Sequence, residues 1–183
     1  VHGGGTQSSE LLRALGAEPK FVAGRRVTDD QALRVVTMVL NGTVNTGLLS
    51  AFRAANLPAI GISGVDAGLL RAQRRPPVTI DGEVVDYGHV GDIVGVDATV
   101  IERLHTAGFL PVVSPLAADS SGAPLNINAD SAAAALAIAL GAEKLVLLTD
   151  APGILEDPND PRTLLSTPDL PGLRWLRETE PLG

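Results

Sequence analysis

Cysteine is absent from the chain, which excludes disulfides, thiolate metal sites and a cysteine nucleophile at once. Basic residues are outnumbered, fourteen against twenty-one acidic ones, for a net charge of −7. A phosphate backbone is gripped by basic patches and an anionic membrane attracts them, so neither nucleic acid nor a lipid surface is an expected partner. The longest run of small and apolar residues, Ala132 to Ala142, is too short to cross a bilayer. No basic segment followed by an apolar one opens the sequence, and the expected location is the cytoplasm. The three histidines, His2, His89 and His105, are too scattered to suggest a metal site. His2 reads as structural and His105 as a helix-surface residue.

What remains is apolar and regular. Hydrophobic residues make up 45% of the 183 and charged residues 19%, a composition that folds around a core. Short apolar runs, Pro58 to Ser63, Phe109 to Val113 and Lys144 to Leu148, read as buried strands. Helices are expected over Ser8 to Leu15, Ala98 to Ala107 and Ala129 to Leu140, the last apolar nearly all round and so covered on both sides. A longer one is expected from Thr28 to about Ala55, opened by Thr28 as N-cap with Gln31 closing a capping box, and interrupted at Gly42. Asp81-Gly82 between alternating residues predicts a tight hairpin, and Ser120-Ser121-Gly122 a second one. Strands alternating with helices indicate an α/β chain with a parallel sheet covered on both faces.

Four segments hold chemistry. After the strand end Val1-His2, the triplet Gly3-Gly4-Gly5 lets backbone N–H groups approach an anion without side-chain obstruction. The same His-Gly-Gly-Gly occurs in some hydrolase oxyanion holes, but that chemistry needs a Gly-x-Ser-x-Gly elbow. Gly61-Ile62-Ser63-Gly64-Val65 ends in valine and does not supply it. Arg25-Arg26 sits at the mouth of a helix, where a guanidinium can fork onto a carboxylate or a phosphate. A solvated pair beside Asp29 and Asp30 is the alternative.

In Asn126-Ile127-Asn128-Ala129-Asp130, alternation puts the two asparagines on one face of an extended segment, and Asp130 enters the first helical turn. Amide side chains there can donate to a carboxylate or accept from an amide N–H. Asp150 to Leu155 follows an apolar run, and ligands of open α/β sheets lie beyond such strand ends.

In order along the chain, VHGGG, RRVTD, GISGVDAGLL, YGHVGDI, GFLPVVSP, NINAD and LLTDAPGIL resemble the acetylglutamate kinases of the amino-acid kinase family. The resemblance runs nearly the whole way to Leu155. It implies a three-layer αβα sandwich with an open, mainly parallel sheet. It also implies transfer of the ATP γ-phosphoryl group to the side-chain carboxylate of N-acetyl-L-glutamate, in arginine biosynthesis, with Mg²⁺ accompanying ATP. Close relatives of that family that phosphorylate a carrier-linked aminoadipate are the neighbouring alternative, and NINAD fits the acetylglutamate enzymes better.

Residue by residue, the resemblance makes Gly4 and Gly5 backbone donors to the acyl substrate and γ-phosphoryl group. Arg26 would hold the α-carboxylate with Asn126, and Asn128 would stand beside them. Asp130 would organise the catalytic lysines, and Asp150, Ala151, Pro152, Gly153, Ile154 and Leu155 would touch the nucleotide. Residues 1–141 would form the acyl-amino-acid lobe and residues 142–183 part of an ATP lobe. Family members have lysines in Lys-x-Gly-Gly and Gly-Gly-Met-x-x-Lys motifs. Lys20 and Lys144, the lysines of this chain, match neither, so the resemblance also implies a fragment, lacking both motifs, that binds without turnover. A non-catalytic acyl-amino-acid binding fragment is the reading from another class. A homodimer through the helix from Thr28 to Ala55 completes the expectations.

Overall fold

A computed structural model describes residues 1–149, 153–157 and 160–165. The chain divides into two compact units, Val1–Leu145 and Val146–Gly183.

The first unit is α/β. Helix α1 (Gly5–Ala14) is followed by a two-residue ribbon, β1 (Phe21–Val22) against β2 (Arg25–Arg26). Helix α2 (Asp30–Thr37), a π-helical stretch Met38–Val44 and α3 (Asn45–Ala54) then run on as one 25-residue rod. The interruption expected at Gly42 is this π turn, a wider winding that proteins place at functional positions. The rod is long and apolar enough to cross a membrane by length and composition alone. Its Val35, Val36, Val39 and Leu40 are each under 5% exposed, so that stripe is core.

Strand β3 (Ala59–Ser63) pairs in parallel with β8 (Leu110–Ser114), five residues in register. A second sheet takes the order β10 (Pro124–Asn126), β9 (Leu116–Ala118), β4 (Leu70–Arg74), β7 (Gly91–Val96). In it β9 meets β4 in parallel, and the other ladders are antiparallel. Hairpin β5 (Val78–Ile80) and β6 (Glu83–Val85) turns at Asp81 (φ 50°) and Gly82 (φ 85°), the paired left-handed residues of a tight hairpin turn. Helix α4 (Thr99–Thr106) and α5 (Ala129–Ala139) flank the strands. The main core gathers Leu69, Leu70, Val113, Leu125, Ala132 and Leu136.

Several boundaries differ from expectation. Helix α1 begins at Gly5 rather than Ser8, so the glycines are its cap and first turn. The cap of α2 is Asp29, whose carboxylate accepts from the Ala32 N–H at 2.8 Å, and not Thr28. Thr28 is fully buried, and its backbone pairs with Tyr87 and His89 instead. On α5 only Ala132 and Leu136 are buried, and Ile138 is 82% exposed, so one side stays open. Residues 144–148 form no strand among the described residues, and Leu148 is 95% exposed. An apolar run becomes a strand only where a neighbour supplies its ladder partners, a condition sequence alone does not report.

In the second unit Leu155 bridges Leu164, the Leu165 N–H donates to the Ile154 carbonyl (2.8 Å), and Asp160 caps the turn Pro161–Thr163.

Candidate functional site

The site is built on the mouth of α1. Its first N–H groups have no intrahelical acceptor, since the first bond of the helix is Ser8 N–H to the Gly4 carbonyl at 3.0 Å. Around Gly3 and Gly5 a Cβ would meet nothing within 4 Å, which leaves open space at that terminus. At Gly4 it would press on the Leu40 side chain.

Arg26 reaches this terminus from β2. Its Nη2 donates to the Gly5 carbonyl (2.8 Å) and to Ser9 Oγ (2.7 Å), while the Phe21 ring lies 4.7 Å from its guanidinium. Nη1 is buried and has no partner. Burial strips water from the charge and Arg13 repels it, and both effects lower the Arg26 pKa from its ordinary value. A half-buried cation with no carboxylate beside it attracts an anion. Arg26 makes no pair with Asp29 or Asp30, so the solvated-pair alternative is set aside.

Asn126 is tied to the same neighbourhood. Its Nδ2 donates to Thr28 Oγ1 (3.2 Å), two residues from Arg26, and its N–H donates to the His89 carbonyl (2.8 Å). The segment Asp86–Val90 lies between the two strands. Thr28 N–H bonds to the Tyr87 carbonyl (2.9 Å), and His89 N–H bonds to the Thr28 carbonyl (2.7 Å). Gly88 is required there: its φ is 71° and a Cβ would fall 2.3 Å from the Thr28 carbonyl oxygen. Asp86 anchors the segment by accepting from the Gly88 N–H (2.8 Å) and from Arg74 (2.9 Å), which hold its carboxyl below the usual range.

Asn128 has another task. It is the N-cap of α5, with Oδ1 accepting from the Ser131 N–H at 2.8 Å, and it is exposed. Asp130, in the first turn of α5, is exposed and makes no hydrogen bond or ion pair among the described residues. Asp150, Ala151 and Pro152 lie outside the described residues, and Gly153, Ile154 and Leu155 belong to the second unit.

Sequence reasoning passed over four polar residues. Ser9, one helical turn beyond Gly5, holds Arg26. His89 Nε2 pairs with Asp30 at 2.6 Å and so binds α2 to the Asp86–Val90 segment. Asn41 accepts from the buried Ser114 hydroxyl, and Asn45 donates to the Val112 carbonyl (3.1 Å) and to His2 Nε2 (3.2 Å). These two asparagines line a cavity of 140 Å³ with Ser63 and Asp66. Their four-residue spacing on an otherwise apolar helix was the available signal.

The sequence profile of the amino acid kinase family matches residues 1–170. The chain belongs to the amino acid kinase family. It is 52% identical to the acetylglutamate kinase of Methanopyrus kandleri over 90% of its own length and 67% of that relative. It is 46% identical to the acetylglutamate kinase of Myxococcus xanthus, over 98% of the chain and 60% of the relative.

Among solved structures, a protein from Streptococcus mutans UA159 superposes with a TM-score of 0.75 at 31% identity, over 85% of this chain and 61% of that one. An N-acetylglutamate synthase from Neisseria gonorrhoeae, complexed with coenzyme A and N-acetyl-glutamate, gives 0.69 at 30%, over 90% and 35%. The mixed α/β architecture fits these relatives.

Proposed function

We propose that this chain holds the acyl-amino-acid site of an acetylglutamate kinase, which passes the ATP γ-phosphoryl group to the side-chain carboxylate of N-acetyl-L-glutamate. The observation behind the reading is Arg26, with a buried, unpartnered Nη1 beside the open amides of α1. An anion of carboxylate size, held there by its α-carboxylate, satisfies that nitrogen. The free first-turn N–H groups near Gly4 and Gly5 then face an acyl or phosphoryl oxygen, where charge develops during transfer. Asn126 keeps its second Nδ2 hydrogen for the same ligand, and on this reading Asn128 and Asp130, at the start of α5, serve it as well.

Residues 1–141 serve as the acyl-amino-acid lobe, and 142–183 contribute to ATP binding through residues 150–155. Mg²⁺ arrives on the ATP phosphates; the described residues group no three His, Asp or Glu side chains around a metal position. Its chemistry is to neutralise charge on the transferred group. The relatives named acetylglutamate kinase, at 43–52% identity, favour N-acetyl-L-glutamate over a carrier-linked aminoadipate. The partly exposed rod Asp30–Ala54, with Met38 54% exposed, is the proposed homodimer face, and the cytoplasm the proposed location.

Calorimetric titration with N-acetyl-L-glutamate, with and without ATP and Mg²⁺, tests the reading alongside an ADP-release assay. Saturable binding of the acid that disappears in Arg26→Ala supports it. A chain that ignores the acid sinks it. Binding without ADP release, with the complete protein also inactive, selects the non-catalytic acyl-amino-acid binding module.

A further inference from the structure

We propose that Ser9 is a positioning residue that fixes which nitrogen Arg26 offers to a bound carboxylate. The inference rests on the acyl-amino-acid reading and goes further into the same site. Ser9 is 8% exposed on α1. Its Oγ donates to the Gly5 carbonyl (2.9 Å) and accepts from Arg26 Nη2 (2.7 Å). The same Nη2 donates to the Gly5 carbonyl (2.8 Å). Nη2 has two hydrogens, and these two acceptors take both.

A guanidinium grips a carboxylate bidentately through Nη1 with Nη2, or through Nε with Nη2. Both forks need a free hydrogen on Nη2, and none remains. Nη1, buried with no partner, is therefore the nitrogen that most needs a ligand, and neither it nor Nε completes a fork without Nη2. The Phe21 ring under the guanidinium holds its plane, and nearby Arg13 adds positive charge without competing as an acceptor. The carboxylate therefore meets Arg26 through one nitrogen and draws its remaining hydrogen bonds from other groups. Specificity follows from that geometry. A ligand whose carboxylate can be shared is accepted, and one that needs the full fork of a free arginine is not.

Removing the Ser9 hydroxyl frees one hydrogen of Nη2 and lets the guanidinium turn. Ser9→Thr keeps the hydroxyl, and Ser8→Ala alters an equally buried neighbour that makes no hydrogen bond to Arg26. The first measurement is ¹⁵N NMR of the arginine side chains. Arg26 Nη2 should rotate slowly in the unaltered chain, in Ser9→Thr and in Ser8→Ala, and rapidly in Ser9→Ala. The second is titration with N-acetyl-L-glutamate and with its α-carboxamide analogue. With that hydrogen free a fork opens to the carboxylate, so Ser9→Ala should tighten the acid about five- to tenfold and change the amide by less than about twofold. Unchanged rotation of Nη2 in Ser9→Ala overturns the proposal, as does an equal change in Ser8→Ala. If the unaltered chain binds no N-acetyl-L-glutamate, the functional reading fails, and the rotation measurement still decides whether Ser9 holds Arg26.

Discussion

The amide of Asn126 donates to the hydroxyl of Thr28 across 3.2 Å, joining residues 98 apart in sequence at a point fully closed to solvent on the threonine side. One bond thus ties the strand that ends in the NINAD segment to the loop that delivers Arg26. The backbone repeats the connection through Tyr87 and His89, so the two halves of the site share one hydrogen-bonded frame.

Thr28→Val keeps the shape of that side chain and removes its acceptor. The Asn126 amide then faces a methyl group, at a cost of about 1 kcal/mol for the lost hydrogen bond of a half-buried donor. Urea unfolding should show this loss. In the double variant with Asn126→Ala the two effects should not add, because both act on the same bond. Strict additivity would mean that the bond contributes nothing.

Much of this frame was legible beforehand, and the reasons differ by residue. Asp81-Gly82 announced its hairpin because left-handed backbone restricts the residues allowed there. Arg26 stood out as a guanidinium at a helix mouth and Asn126 through its alternation with Asn128, and the bond from Asn126 to Thr28 ends two residues from Arg26. The capping bond of Asn128 had no separate signal, since a cap and a ligand-binding amide look alike until the following N–H groups are placed. Thr28 with Gln31 three residues on satisfies the capping-box pattern, and Asp29 one residue later takes the cap instead. Ser9 and His89 offered no local pattern at all: their partners lie 17 and 59 residues away. The segment 144–148 failed for another reason, as its strand depends on a neighbour and not on its own composition.

Gly5→Ala separates packing from binding. A Cβ at this position meets nothing in the protein within 4 Å, and alanine in a helical turn is favoured over glycine by up to about 1 kcal/mol. Thermal unfolding should therefore shift upward or stay level. The same methyl group would stand in the space where a ligand approaches the first-turn amides, so binding of the acyl amino acid should fall at least about tenfold, or roughly 1.4 kcal/mol. A stable variant that binds as well as the parent would remove Gly5 from the site.

Acid should loosen the contact between His2 and the first residue of α3. His2 Nδ1 donates to the Gly3 carbonyl (2.8 Å) while Nε2 accepts from Asn45 (3.2 Å), an arrangement open only to the neutral ring. Burial lowers its pKa below the ordinary 6.5, and the Gly3 bond opposes that shift. A depressed value in the fold means that the unfolded chain takes up the proton first. Stability from this ring is complete above the ordinary histidine value and is lost as pH falls through the depressed one. Urea midpoints for the chain should drop between neutral and mildly acid pH more than those of His2→Leu. Parallel pH profiles for the two would place the acid sensitivity elsewhere.

Arg26→Lys keeps the charge and discards the geometry. The guanidinium works in three directions at once: Nη2 holds Gly5 and Ser9, the plane lies on Phe21, and Nη1 is left for a ligand. An ammonium is a point charge with three donors on one nitrogen, and it cannot hold α1 and a carboxylate from separate atoms. If charge alone attracted the ligand, lysine would retain most of the affinity. The arrangement requires the opposite: N-acetyl-L-glutamate should bind at least about tenfold more weakly, close to the loss in Arg26→Ala, since a misplaced charge recovers little in a desolvated site. Calorimetry on the three forms, with circular dichroism to confirm that each is folded, reads the difference directly. Near-parent affinity in Arg26→Lys would show that Nη1 is not the contact and that the anion is held by the field of the charge rather than by one directed nitrogen.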